Sequence, residues 1–220
     1  MLTYDDIQHN EELRVLIAAG NEALGRIHYT EHGYAHAGLT AEVAGRILTV
    51  LGFEERRCEL ARIAGFIHDI GNAVNRVNHA MSGAVMAYEI LRRLGMPADE
   101  AVAVTTAIGY HDEQTAAAVT PISAALILAD KSDVRRSRVR VRQDAEEFDI
   151  HDRVNYAVER SALEIDPDKR VITLCIAIDT SICPVMDYFE IFLTRMTLCR
   201  SAAAFFDMNF ELVINETRML

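Results

Sequence analysis

The dipeptide His68-Asp69 is the feature that most constrains the fold of this 220-residue chain, because it ends an apolar run with helical spacing. Ile63, Phe66 and Ile67 stand just before it and would share one buried helix face. The pair belongs to an ordered series on or at the ends of predicted helices: His36, His68, Asp69, His79, His111 and Asp130. Helices of a compact bundle can aim such residues at one interior point. The series therefore favours a helical bundle around a shared polar site.

The residue types in this series are those that divalent transition metals bind. Neutral imidazole suits iron, manganese, nickel and zinc, and a carboxylate can bridge two cations while it lowers their repulsion. Because His68 and Asp69 are adjacent, one helix end could provide a terminal and a bridging ligand. Two such cations would provide a hydroxide nucleophile near neutral pH and bind a phosphoryl oxygen. The residues thus predict metal-assisted hydrolysis with divalent Fe, Mn, Ni or Zn, two ions being expected.

Composition and charge restrict the partners of the chain. Half of the residues are hydrophobic, and the net charge of −11 would repel a nucleic-acid backbone, so polymeric nucleic acid is not an expected partner. A small anionic substrate stays open, because metal ions and a local basic cluster can reverse the field inside a cleft. No apolar run reaches membrane-spanning length, and the acidic start lacks the pattern of a signal peptide. We therefore expect a cytoplasmic protein without a membrane partner.

The first two thirds of the chain have the periodicity of amphipathic helices. Apolar residues recur at helical spacing in six segments: residues 3–19, 36–51, 54–69, 80–94, 97–111 and 120–132. Gly20, Gly52 and Gly95 are expected to end helices, since glycine readily adopts the conformation that follows a last helical turn. Thr120 and Pro121 have the residue types of a cap and a first helical position. We predict a mainly α fold with a bundle of about six helices in residues 1–145.

Residues 146–220 are predicted to form a small α+β unit. Their patterns indicate a short helix at about 150–160 capped by Asp149, a hairpin at 162–178, a long helix at 184–207 and a strand at 210–214. This β-β-α-β unit carries no catalytic pattern, and three strands with one helix are marginally stable alone. It is therefore expected to need a partner surface, either as a cap over the cleft or in a homodimer.

The order His…His-Asp…His…His…Asp resembles that of the HD-domain superfamily of metal-dependent phosphohydrolases. Residues 64–71 (AGFIHDIG) resemble the segment around its His-Asp pair, residues 78–84 (NHAMSGA) its later histidine, and residues 128–131 (LADK) its terminal aspartate motif. The likeness covers roughly residues 30–140. The His-Asp pair alone is a weak signal, whereas the full ordered set is specific. The resemblance implies an HD-type helical metal-binding domain in residues 1–145.

The resemblance also implies which residues bind each metal. The ligands of the first ion would be His36, His68, Asp69 and Asp130. Asp69 would also bridge to a second ion held by His79 and His111, and so would be catalytic through positioning the metals. His32 stands one helical turn before His36 and competes with it. His36 begins the amphipathic helix and is the better candidate.

A basic cluster follows the last ligand of this set. It comprises Lys131, Arg135, Arg136, Arg138, Arg140 and Arg142. Lys131 is expected to be catalytic by neutralising the substrate phosphate, and both Lys131 and Arg135 are expected to bind substrate. The alternative is a solvated basic face, or arginines that pair with the carboxylates of this acidic chain.

Two departures limit what the resemblance implies. Cyclic-dinucleotide phosphodiesterases of the HD-GYP type have a lysine where this chain has Asn72. They also have a Gly-Tyr-Pro element, whereas His111 is followed here by Asp112, Glu113 and Gln114. That specific activity is therefore not expected. Asp112 could be an extra ligand, a partner of a ligating imidazole, or an exposed carboxylate at a helix end.

The function predicted from the sequence is metal-dependent hydrolysis of a small phosphorylated metabolite, with a nucleotide as the first candidate. Two alternatives stay open. Some superfamily members use the same six ligands for oxygen activation, so the chain could be a di-iron oxygenase. It could also be a non-catalytic sensor of a metal or nucleotide.

Overall fold

The computed structural model describes residues 1–140 and 149–219. The predicted boundary between residues 145 and 146, and Arg142 of the basic cluster, lie outside these described residues. Within them, no helix combines the length and the apolarity that crossing a lipid bilayer requires.

The N-terminal part is a helical bundle, as the periodicity predicts. Its α-helices are α1 (Tyr4–Gln8), α2 (Glu11–Arg26), α3 (Tyr34–Val50), α4 (Glu55–Ile67), α5 (His79–Arg93), α6 (Ala98–Gly109) and α7 (Pro121–Ser132). Two 3-10 helices, Ile70–Ala73 and Arg136–Arg138, follow α4 and α7. Gly52 and Gly95 have φ angles of 78° and 90°, so both end helices as expected. The predicted mainly α fold is confirmed.

The single helix predicted over residues 3–19 is wrong. The chain breaks at Asn10, whose side chain accepts a hydrogen bond from the Leu13 amide and so caps a second helix. That helix continues through Gly20 to Arg26. Gly20 is buried, and a Cβ atom there would lie 3.1 Å from the backbone nitrogen of Ala73. It therefore allows close packing and does not end the helix.

The C-terminal part has the predicted β-β-α-β order with one additional strand. Its elements are α8 (Ile150–Ala157), β1 (Val158–Asp166), β2 (Val171–Ile178), α9 (Val185–Phe205), β3 (Asn209–Ile214) and β4 (Thr217–Arg218). β1 and β2 form an antiparallel hairpin, and α9 is the crossover between the parallel strands β2 and β3. The two-residue β4 pairs with β3 and is too short to show an alternating pattern. The sheet order is β1-β2-β3-β4.

The two parts share packed surfaces among the described residues. α9 packs on α7, and β1 contacts both α3 and α7. On α9 the fully buried side chains include Tyr188, Phe192 and Cys199. One face of α9 is therefore buried against the rest of the protein, and α9 lies next to the helix that carries Asp130.

Close approach at Gly71 fixes the start of α5. A Cβ atom on Gly71 would lie 2.0 Å from the carbonyl oxygen of His79 and 2.6 Å from the amide nitrogen of Gly83. Both are backbone atoms, so a side chain could be accommodated only if α5 moved away. The first residue of α5 is His79, so Gly71 determines where this histidine lies relative to His68.

We expect Gly71→Ala to lower the free energy of unfolding by about 3 kcal/mol, because the new methyl group would overlap backbone atoms. Urea unfolding followed by circular dichroism measures this loss. Gly38→Ala is the matched control, because a Cβ atom at Gly38 in α3 meets nothing within 4 Å. That change should raise stability by up to about 1 kcal/mol, as in an ordinary helix interior. Equal stabilities of the two variants would contradict this role of Gly71.

Candidate metal centre

Four histidine rings, each at most 2% exposed, converge on one interior point and are held through their Nδ1 atoms. The Nδ1 acceptors are the carbonyl oxygens of Gly65 for His68 (2.8 Å), Arg76 for His79 (3.0 Å) and Ile108 for His111 (2.6 Å), and a carboxylate oxygen of Asp133 for His36 (2.7 Å). Carbonyl and carboxylate oxygens only accept hydrogen bonds, so Nδ1 carries the ring proton. In its neutral, metal-binding form each ring therefore presents a lone pair on Nε2.

The Nε2 atoms face one another in two pairs. They are 3.2 Å apart between His36 and His68, and 3.3 Å apart between His79 and His111. Two lone pairs repel each other at these distances unless a cation lies between them. Ligand atoms at right angles around one cation, each about 2.1 Å from it, lie about 3.0 Å apart. The donor set and its spacing thus fit a metal ion at each pair.

Asp69 lies between the two pairs, with one carboxylate oxygen toward each. Its Oδ2 lies 3.4 Å from Nε2 of His68 and 3.8 Å from that of His36. Its Oδ1 lies 3.3 Å from Nε2 of His79 and 3.8 Å from that of His111. This is the arrangement of a carboxylate that bridges two cations.

Asp130 completes the first group of candidate ligands. Its Oδ1 lies 3.3 Å from Nε2 of His36 and 3.8 Å from that of His68, while its Oδ2 accepts a hydrogen bond from Lys131 Nζ at 2.6 Å. His36, His68 and Asp130 present ligand atoms within 4.8 Å of one another, and so do His68, Asp69 and His111. The structure therefore brings together all six predicted ligands. Their binding of metal, and the number of ions, stay predictions.

Helix packing explains why these ligands meet. α3 and α4 approach closely at Gly65, where a Cβ atom would lie 2.7 Å from the Cα atom of Ala41. His68 stands one turn after Gly65, and His36 stands in the first turns of α3. The close approach of the two helices therefore brings the first pair of rings together.

The local electrostatics favour the metal-binding protonation states of both carboxylates and of His111. Burial lowers the pKa of His68, but the neighbouring Asp69 and Asp130 outweigh it and raise this pKa. Burial raises the pKa of Asp69, but the neighbouring His68 and the other rings around the carboxylate outweigh it and hold this pKa well below its usual range. Burial also raises the pKa of Asp130, and Lys131 with the nearby rings lowers it by more. Burial lowers the pKa of His111 to about 4. Near neutral pH both carboxylates are thus ionised and His111 is neutral.

Asp133 supports His36 and was not predicted from the sequence. Besides its hydrogen bond to Nδ1 of His36, its carboxylate accepts hydrogen bonds from Arg135 Nε at 2.6 Å and Nη2 at 3.2 Å. Arg138 donates from Nη1 to the Asp133 carbonyl oxygen. The signal for Asp133 was its position three residues after Asp130. Arg135, predicted to bind substrate, is instead placed against Asp133 and does not line the cleft described next; its role in substrate binding stays a prediction.

A small, highly polar cleft opens onto the ligand atoms. It is lined by His32, Asp69, Arg76, His79, His111, Asp130, Lys131, Arg138 and Arg195. Lys131 and Arg138 belong to the basic cluster predicted from the sequence, whereas Arg76 and Arg195 were not predicted. Arg76 stands three residues before His79 in the turn that leads into α5, and its Nη1 lies 3.4 Å from Nε2 of His79. This short spacing could have identified it from the sequence. Arg195 lies on α9, and no short spacing in the sequence connects it to the candidate ligands.

His32 and Asp112, two further candidates from the sequence, lie at or near this cleft. His32 donates from Nδ1 to the Thr30 carbonyl oxygen, and its ring centre lies 5.4 Å from that of His36. It lines the cleft, whereas His36 belongs to the ligand group. Asp112 Oδ1 lies 3.8 Å from Nε2 of His79, and the Asp112 side chain is only 19% exposed. This position favours Asp112 as a ligand or as a partner of an imidazole over an exposed carboxylate.

We expect Asp133→Asn to weaken metal binding about 10-fold to 100-fold, because an amide keeps the shape but removes the charge that orients His36. Titration calorimetry with Mn²⁺ or Zn²⁺ measures the dissociation constant. Asp207→Asn is the matched control, since the Asp207 side chain is 86% exposed and remote from the ligands. Unchanged affinity in Asp133→Asn, with the variant folded, would show that His36 needs no such partner.

Comparisons with known proteins show what the chain as a whole is similar to. The sequence model of the HD domain matches residues 33–174. The uncharacterized protein MJ1020 of Methanocaldococcus jannaschii is 24% identical over 191 residues, which span 77% of this chain and 74% of that protein. A predicted HD superfamily hydrolase from an uncultured Thermotogales bacterium, known from a crystal structure, is 25% identical in sequence. The match covers 56% of this chain and 69% of that protein's chain, with a TM-score of 0.42. Because the domain match spans more than half of the sequence, this chain belongs to the HD domain family.

Proposed function

We propose that the protein is a metal-dependent phosphohydrolase acting on a small phosphorylated metabolite, with nucleotides as the first candidates. The observation that carries this proposal is Asp69, each of whose oxygens faces a different pair of Nε2 atoms. Such a carboxylate suits two cations, as many phosphoryl-transfer sites require. The membership in the HD domain family supports the same chemistry.

In the proposed reaction the residues of the chain would hold the metal ions. Bound divalent cations would supply an activated water and positive charge for the phosphoryl oxygens. His36, His68 and Asp130 would hold one ion, and His79 and His111 the other, with Asp69 shared. In the reaction the water oxygen forms a new bond to phosphorus, the ester P–O bond breaks, and the alcohol leaves with a proton.

The cleft supplies further positive charge for the substrate. Lys131 is 6% exposed and lies at the ligand cluster, with Nζ against the outer oxygen of Asp130. Arg138 is buried, and Arg76 and Arg195 reach the same cleft. Fixed cations at a site from which most water is excluded stabilise charge that builds up on a phosphoryl group. Such a lining favours an anionic substrate. It is less suited to a neutral substrate, such as one that an oxygenase would oxidise.

Asp69→Ala should abolish both metal content and phosphate release, because it removes the only side chain of the ligand cluster that faces both pairs of rings. Elemental analysis and a phosphate-release screen over nucleotides and sugar phosphates measure the two quantities. Asp168→Ala, in the exposed turn between β1 and β2, is the control and should change neither. Hydrolysis retained by Asp69→Ala would contradict the metal-dependent mechanism.

The wild-type protein distinguishes the alternative functions. Oxygen consumption without phosphate release would favour a di-iron oxygenase, and metal binding without turnover would favour a sensor.

Lys131→Met should lower kcat/KM for phosphate release about 100-fold while the metal content stays the same, because a buried charge at the developing phosphoryl charge is lost. Steady-state kinetics and elemental analysis separate the two effects. Lys169→Met is the matched control, since the Lys169 side chain is 79% exposed. A parallel loss of metal and activity would instead assign Lys131 to the orientation of Asp130.

A further inference from the structure

The C-terminal unit contributes a positively charged side chain to the polar cleft beside the candidate ligands. Arg195, on α9, lines this cleft although its helix lies outside the segment that carries the ligands. Its side chain is 25% exposed, so it is accessible from the cleft without being a surface residue. None of the motifs that identify the family includes this position.

Two contacts hold Arg195 in place. Its Nε donates to Oε1 of Glu113 at 2.5 Å, and its guanidinium carbon lies 4.6 Å from the centre of the Phe192 ring. Glu113 follows His111 by two residues, so the ion pair joins α9 to the second pair of rings. Arg195 is therefore oriented by the body of the protein and by its own helix.

The rest of the guanidinium is available to a ligand. Among the residues that the structure describes, the hydrogen bond of Arg195 uses Nε, and its two terminal nitrogens have no acceptor. Arg135 and Arg140, in contrast, use several nitrogens on carboxylate and carbonyl oxygens of the protein. A guanidinium with free terminal nitrogens matches the oxygens of a phosphate group.

An outer cavity of about 280 Å³ continues from the cleft. It shares Arg195, Arg76 and Arg138 with the cleft, and it extends between residues 27–30 and α8. Its volume is close to the lower end of small-molecule pockets, which accommodates the body of a metabolite and not a polymer. At the end formed by α8 its lining includes Asp149 and Asn155. Asp149 Oδ1 accepts a hydrogen bond from the Asp152 amide and Asn155 Nδ2 donates to the His151 carbonyl oxygen, which leaves Asp149 Oδ2 and Asn155 Oδ1 as the acceptors that could face a ligand. Such groups bind hydroxyls.

We propose that Arg195 is a substrate-binding residue that the C-terminal unit adds to the cleft, and that the substrate is a phosphomonoester of a small hydroxyl-bearing molecule. Arg195 binds the phosphate, and the alcohol part lies in the outer cavity against α8. Sugar phosphates and mononucleotides share this chemistry. The inference rests on the proposed function, because it places the scissile phosphate at the ligand cluster.

The binding test uses inorganic phosphate and the full-length protein loaded with Mn²⁺. Arg195→Gln should raise the dissociation constant for phosphate about tenfold or more, because a charge-assisted hydrogen bond is lost. Arg200→Gln, exposed on the same helix, is the matched control and should bind phosphate as the wild type does. Equal phosphate affinity of Arg195→Gln and wild type, with metal content and thermal stability retained, overturns the proposal. If Arg195→Gln does not fold, Arg195→Met, which also removes the charge but keeps the apolar stem of the side chain, replaces it, and unaltered phosphate affinity in that variant has the same meaning.

The alcohol part is tested by comparing substrates on the wild-type protein. Ribose 5-phosphate or AMP should have a kcat/KM about tenfold or more above that of phenyl phosphate, which has no hydroxyl groups on its alcohol part. A preference between the first two distinguishes a sugar phosphate from a nucleotide. Equal rates for all three overturn the assignment of the outer cavity.

The two proposals fail in different ways. Phosphate release that is independent of bound metal contradicts the proposed function, whatever Arg195 does. Metal-dependent phosphate release by the wild type, together with full phosphate affinity in Arg195→Gln, contradicts only the role of Arg195.

Discussion

The hydrogen bonds from the four Nδ1 atoms are the interaction on which the site depends. They place the proton of each ring on the outer nitrogen and leave the lone pairs of Nε2 to converge around Asp69. Without a cation this arrangement concentrates electron pairs and ionised carboxylates in a buried region. Because metal binds the folded arrangement and not the open chain, the binding energy adds to the stability of the fold. The helical bundle and the metal site are thus energetically linked.

Much of this centre could be predicted from the sequence because its geometry is local. His68, His79 and His111 each stand at a helix end and find their Nδ1 acceptor three residues earlier. Gly20 was misread because glycine both ends helices and permits close packing, and only the tertiary structure distinguishes the two roles. Arg195 was missed for a related reason, since its partner Glu113 is distant in sequence and no short-range spacing connects them.

The C-terminal elements follow from alternation and turn chemistry, but their relation to the cleft does not. The strands β1 and β2 and the helix α9 were expected, and the parallel pairing of β2 with β3 follows from the crossover through α9. Which face of α9 meets the body is decided by the packing of Phe192 and Cys199 against the core. That packing turns Arg195 toward the cleft. The predicted boundary after residue 145 and the possible homodimer stay predictions.

The ion pair between Glu113 and Arg195 has a consequence for how such a protein can diversify. The candidate metal ligands all lie on the helical body, whereas Phe192, Arg195 and Asn155 belong to elements that follow it. Under the proposed roles, replacement of residues in α8 and α9 would change which ester is accepted while every candidate ligand is retained. The proposal thus assigns the chemistry and the choice of substrate to successive stretches of one chain, which could evolve at different rates.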